Sequence, residues 1–276
     1  MKLFLRRAQT EWPAWLAVSF IALLPFRRLA EIPLSIFALS LLFLLRSEEH
    51  RARIKSLLPL LLPLFLCFWL PMVFSSFDSY DPQKRWLTSL SAVRFFMAAM
   101  TIGVLLHSAS LRWLVLRWSS YLLIFWAVDG YIQLAAGTDL FGVTMHADRL
   151  NALFGKKFQF FGPTLAMLSP LLFEYARRRW PAWAWGASFA LVLGAVMISG
   201  MRAGWLAMGM VVFAYFLLMF RKENRELRGA TITLPVVAMV VIVFSYLVSP
   251  MVQERVSRTL TIAQGAESAV DYALSW

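Results

Sequence analysis

The chain has 276 residues, of which 60% are hydrophobic and 15% charged, against roughly 45–50% apolar residues in an average soluble domain. It carries 27 Lys and Arg against 15 Asp and Glu, a formal net charge of +12. This composition excludes a soluble enzyme. The basic residues gather in short connections between apolar runs and no nucleic-acid motif appears, so the charge reads as membrane topology and not as nucleic-acid binding.

Apolar runs occupy 12–26, 29–45, 57–74, 87–106, 113–134, 160–175, 183–198, 203–220 and 232–248. Many approach or exceed the roughly 17–25 residues that cross a bilayer as a helix, and no period-two alternation marks a barrel. The predicted fold is all-α: a polytopic integral membrane helical bundle of about nine transmembrane helices, in a single domain over 1–276. The first run follows Lys2, Arg6 and Arg7 as a signal peptide would, but it lacks a small-residue cleavage site and further runs follow, so it reads as a retained helix. Only Arg27 and Arg28 separate the first two runs, which read either as a tilted hairpin or as one partly re-entrant segment. The single cysteine, Cys67, excludes an intrachain disulfide and is expected to be a small packed apolar side chain. No internal repeat or low-complexity tract is present.

Placing the N-terminus in the cytoplasm puts the basic clusters at 2–7, 46–55, 112–117, 177–179 and 221–228 inside, as the positive-inside rule requires. Three segments then face outward: 75–86, 135–159 and the tail 250–276. The tail spaces Val252, Val256, Leu260, Ala263, Val270 and Leu274 at a roughly helical period, consistent with an interfacial helix.

Templates from soluble enzymes fail on this sequence. His50, His107 and His146 are far apart, no metal-ligand spacing occurs, and no metal or other cofactor is expected. Asp78 and Asp81 flank Tyr80 on an outer loop, where carboxylates commonly serve as solubilisers. What remains is outward-facing positive charge: Arg27, Arg28, Lys84, Arg85, Arg149, Lys156, Lys157, Arg202, Arg255 and Arg258, with Arg94 a few residues inside the fourth run. Lys84 and Arg85 read as snorkelling charges at a span end. Arg94 lies within an apolar run and must face protein or water. Arginines gathered at one membrane face can bind a diphosphate bidentately and offset its charge as it leaves.

Two segments stand out. At 148–163, Arg149 is followed by Ala152, Phe154, Gly155, Lys156 and Lys157, then by Phe161-Gly162-Pro163 at a helix start, an end attractive to anions. At 199–207, Arg202 opens the eighth run between Gly200 and Gly204, which permit close backbone approach.

These segments resemble the O-antigen ligase and polymerase superfamily of bacterial surface-polysaccharide assembly. Arg149, Ala152, Phe154 and Gly155 fit that family's Arg-x-x-(Gly or Ala)-x-Phe-Gly pattern, and Arg202, Ala203, Gly204, Trp205 and Leu206 its Ser-Arg-Gly-Ala-Trp-Leu-like helix start, with Met201 in place of the serine. The resemblance implies a multi-pass protein of the bacterial inner membrane with a periplasmic active face. It implies metal-independent transfer of a glycan from undecaprenyl diphosphate to an acceptor hydroxyl, on lipid A core for a ligase or on another lipid-linked repeat for a polymerase. Arg149 and Arg202 would be the catalytic pair, holding the diphosphate with Lys156, Lys157, Arg94 and Arg27 as further binding candidates. Family members continue into a large periplasmic loop with a histidine motif, and no histidine follows Arg202 here. The chain is therefore expected to be an N-terminal portion, with 250–276 the start of that loop. His146 reads as a solvated loop histidine because nothing in the sequence orients its ring. Two other readings stay open: a carrier of anionic, lipid-linked substrates, which should show broken helices or inverted repeats with charge at the midplane, and a non-catalytic membrane remnant.

Overall fold

The computed structural model describes residues 2–26, 28–77, 81–145, 150–155, 160–219, 238–243, 245–247, 252–254 and 256–257, and the side chains of all of these except 2–9, 216, 218 and 219. Helices account for nearly all of it: α1 Lys2–Leu23, α2 Glu31–Leu44, α3 Glu48–Phe77, α4 Pro82–Ser91, α5 Val93–Leu105, α6 Ala109–Ala136, α7 Phe161–Arg179, α8 Ala182–Ile198 and α9 Arg202–Met219. Among the described residues the only strand-like pairing is one isolated bridge, Thr138 to Thr144. Among the described residues three stretches are long and apolar enough to cross a membrane: α3, α4 with α5 (Pro82–Leu105), and α6. At 1.5 Å per residue these run about 36–45 Å, beyond the roughly 30 Å hydrocarbon core. Three long apolar helices mark a membrane protein. Thr10–Phe26, Glu31–Leu44 and Ala182–Ile198 are apolar but shorter.

The chain divides into two compact units, 1–118 and 119–276. In the first, the runs at 12–26 and 29–45 form separate helices joined by a turn in which the N–H of Leu29 donates to the Phe26 carbonyl at 2.9 Å, so the hairpin is the form adopted. α2 packs chiefly on α5. Their starts are tied by an ion pair, Arg94 Nη1 to Glu31 Oε2 at 2.5 Å. Their far ends meet in an apolar cluster of Leu41, Met100 and Val104, joined by Ile54 from the start of α3. α2 and α5 therefore run parallel and α3 antiparallel to both, the alternation expected for runs two, three and four. The fourth run divides at Ala92. Asp81 caps the first piece, accepting from the Lys84 N–H at 3.2 Å with Pro82 at the first helical position, an arrangement favoured at helix starts.

α3 buries only Ile54 and Ser76 and exposes Leu60, Leu64, Phe68, Phe74 and Phe77. Cys67 is exposed as well, contrary to the expectation of packing, because few protein neighbours reach this helix. An apolar surface of this length is stable against hydrocarbon, not water. α3 meets α4 through polar groups: the Ser76 and Ser89 hydroxyls lie 3.0 Å apart, and the Ser89 hydroxyl also donates to the Met72 carbonyl at 3.2 Å.

In the second unit α7 and α9 are parallel. Gly162 meets Gly204 near their starts, and the Phe173 and Tyr215 rings lie 5.9 Å apart further along. α6 runs opposite to α7: Gly130 faces the Phe161 ring, and the Tyr121 ring lies 6.2 Å from that of Tyr175. α8 packs on α7 and is tied to α6 by Tyr131 Oη, which donates to the Leu191 carbonyl at 3.0 Å. Pro170 lacks the N–H that the Ala166 carbonyl would accept, and the Ser169 hydroxyl donates to that carbonyl at 2.7 Å instead.

The Glu31–Arg94 pair is one-third to two-fifths exposed, so water screens part of its attraction. A double-mutant cycle with Glu31→Gln and Arg94→Gln, followed by reversible unfolding in mild detergent, is expected to give a coupling of about 1 kcal/mol or less. Strictly additive single losses would show that the contact does not hold α2 to α5.

Candidate functional site

The loop between α6 and α7 starts from the last turns of α6. Gln133, fully buried, accepts the N–H groups of Asn151 and Ala152 on Oε1 at 3.0 and 2.8 Å, and its Nε2 donates to the Val143 carbonyl at 3.0 Å. One turn earlier, buried Asp129 accepts the Leu140 N–H at 2.9 Å. Asp139 accepts the N–H groups of Phe141 and Val143 at 2.9 and 2.6 Å, a side-chain-held turn of the kind Asp favours. The bonds from Gln133 to Asn151 and Ala152 serve peptide groups of buried residues, which need a partner inside the protein.

The segment after Arg149 is seated by its own residues. Phe154 packs edge-on against Trp126 of α6 at 5.3 Å and against Phe161 of α7 at 5.9 Å. Ala152 is buried with φ +45° and Gly155 has φ +73°, ψ 173°. The first conformation favours glycine and tolerates alanine; the second belongs almost wholly to glycine. The small residue and the terminal glycine of the 149–155 pattern thus have backbone reasons for their positions.

The second segment lies beside the start of α7. A side chain at Gly204 would stand 3.0 Å from the Gly162 carbonyl carbon and 3.1 Å from the Pro163 nitrogen, and one at Gly162 would stand 2.9 Å from Ser199 Cβ. Gly200, with φ +68°, turns the chain from α8 into α9. Trp205 Nε1 donates to the Met197 carbonyl at 3.1 Å, locking the first turn of α9 onto the end of α8. Phe161 joins the two segments, touching Phe154 on one side and preceding the Gly162–Gly204 contact on the other.

Arg202 is the first residue of α9; it is exposed and its side chain has no ion pair or hydrogen bond among the described residues. Arg94 belongs to the first unit, where Glu31 already balances its charge and its guanidinium carbon lies 5.4 Å from the centre of the Phe95 ring. Arg28, Lys84 and Arg85 are exposed, and Asp81 serves as the cap of α4. Arg27, Asp78, Tyr80, His146, Asp148, Arg149, Lys156, Lys157, Arg255 and Arg258 lie outside the described residues. In the tail Val252 is buried, Val256 is half-buried, and Leu260, Ala263, Val270 and Leu274 lie outside the described residues as well.

Sequence reasoning did not reach Gln133 or the role of Asp129. The signal was present: two polar residues four apart in an apolar run lie on one helix face and need partners there. Comparison with family models, curated proteins and solved structures finds no match to this chain.

Two changes test the backbone account through thermal unfolding in detergent. Gly155→Ala is expected to destabilise by about 1–3 kcal/mol and Ala152→Gly to be neutral or to stabilise by up to about 1 kcal/mol. Equal effects from both would contradict it. Gly162→Ala is expected to cost about 1–3 kcal/mol, with most of it recovered when Ser199→Gly removes the atom it strikes. Failure of that double variant to recover would place the clash elsewhere.

Proposed function

We propose that this chain supplies the donor side of a membrane glycosyltransferase of the O-antigen ligase type, acting at the periplasmic face of the bacterial inner membrane. The donor is a glycan on undecaprenyl diphosphate and the acceptor a hydroxyl of lipid A core. As the bond between the sugar C1 and the diphosphate oxygen breaks, negative charge grows on the leaving diphosphate. Donors already in place for that charge lower the barrier without reorganisation. Arg202 and Arg149 are the residues assigned to it, with Lys156 and Lys157 adding positive charge nearby in sequence.

The observation that carries this reading is the state of Arg202. It is an exposed guanidinium without a protein anion among the described residues, at the first position of a helix whose unpaired N–H groups also favour an anion. Supporting it, the 150–155 segment and the start of α9 both pack at the start of α7. A ligand with two adjacent phosphates suits two arginines better than a single-charge anion does.

The test is attachment of surface glycan in cells whose only copy of the gene carries Arg202→Ala or Arg202→Lys, with membrane levels of the protein matched. Arg202→Ala is expected to lower attachment by about 10²–10³-fold. Arg202→Lys should recover only part of it, since lysine keeps the charge and loses the two-pronged geometry. Undiminished attachment in Arg202→Ala would remove Arg202 from the reaction.

A further inference from the structure

We infer that Gln133 is a positioning residue: it fixes the register of the loop arm 150–155, which follows Arg149 in sequence, by gripping the peptide N–H groups of Asn151 and Ala152. Gln133 lies one turn from the end of α6 and is fully buried. A glutamine amide offers one carbonyl and one NH2, and here both are engaged. The carbonyl receives the N–H groups of Asn151 and Ala152, and the NH2 donates to the Val143 carbonyl.

The partners lie on both flanks of 146–149, so one side chain clamps the outgoing and returning arms of the loop. The grip falls where the backbone is least able to hold itself, because Ala152 has a positive φ and its short turn begins without a side-chain cap. A shift of one residue there would break both N–H bonds and withdraw Phe154 from Trp126 and Phe161. Asparagine is one methylene short for the reach, and leucine fills the space but satisfies neither peptide group. The demand is for a neutral group with an acceptor and a donor at this distance from α6.

Among the described residues, the charged groups bonded into the same loop are Asp129, four residues earlier on α6, and Asp139 on the outgoing arm, which also accepts the N–H of Val143. A glutamate at 133 would be protonated at acidic pH, retaining both acceptor and donor. On ionising at alkaline pH it would keep the bonds to Asn151 and Ala152 but lose the one to Val143, beside two carboxylates.

The consequence for transfer rests on the functional reading above; the consequence for the loop does not. The test is amide hydrogen exchange of the full chain in lipid nanodiscs, paired with glycan transfer at varied donor concentration. Gln133→Ala is expected to speed exchange at Asn151 and Ala152 by about tenfold or more, the effect of losing one to two hydrogen bonds. The N–H of Trp205 on α9 should stay protected, which shows that the fold persists. Gln133→Glu is expected to restore protection at acidic pH and to lose it on the Val143 side at alkaline pH, while the wild type shows no such dependence. In transfer, Gln133→Ala should raise the donor KM by more than it lowers kcat, and Gln133→Glu should rescue it with the same pH profile. Unchanged exchange at Asn151 and Ala152 overturns the inference outright. Faster exchange with unaltered donor KM overturns its link to the donor, while the Arg202 variants decide separately whether the functional reading holds.

Discussion

Gly204 rests against the backbone of Gly162 and Pro163 so closely that a methyl group on either glycine would meet backbone or the Ser199 side chain. The second unit depends on this approach. It sets α7 and α9 parallel from their first turns, and it presses the Ser199–Gly200 turn onto the helix that Phe161 begins. Close backbone contact through small residues is how helices gain dispersion energy in a medium that offers no hydrophobic drive between them. Because α7 begins there, whatever seats the preceding loop also seats it against α9. Phe154 does so through Phe161, and Gln133 does so through the peptide groups just before Phe154.

The same environment explains where polar side chains are spent. Buried backbone groups in and near a membrane must find partners within the protein. Gln133, Asp129 and Asp139 serve loop peptides, Ser169 serves the carbonyl freed by Pro170, and Ser76 and Ser89 serve α3 and α4. Arg202 is an exposed charge with no ion pair or side-chain hydrogen bond among the described residues, as are Arg28, Lys84 and Arg85, but it alone of these opens α9 beside the 150–155 segment's partner helix α7. Arg94, equally conspicuous in the sequence, is matched by Glu31.

The helical character of the chain was legible because the apolar runs are long, while only three stretches among the described residues are long and apolar enough to cross a membrane, and the run at 232–248 lies in large part outside those residues. The start of α4 was legible too, in Asp81-Pro82. The break at Ala92 was not, since Ala92 keeps helical angles and no glycine or proline marks it. The parallel pairing of α2 with α5 was implicit in the alternation of the runs, but the ion pair that ties them was not, because Glu31 and Arg94 are 63 positions apart and nothing local links them. At the candidate site, glycine and arginine spacing drew attention to 149–155 and 199–207. The physical reasons came only with the fold: a positive φ at Ala152, contact between Gly162 and Gly204, and Gln133 reaching across 18 residues to Asn151. Long-range hydrogen bonds of that kind leave no local periodicity to read. What could be read was the oddity of Asp129 and Gln133 four apart in an apolar run.

The central proposal is that the guanidinium of Arg202, without an ion pair among the described residues, binds a diphosphate. Native mass spectrometry of the full chain in nanodiscs, with undecaprenyl diphosphate and undecaprenol offered at equal concentration, tests it most directly. The account predicts preferential retention of the diphosphate, reduced about tenfold or more by Arg202→Ala. Equal retention of the two lipids, or a preference untouched by that substitution, would contradict it.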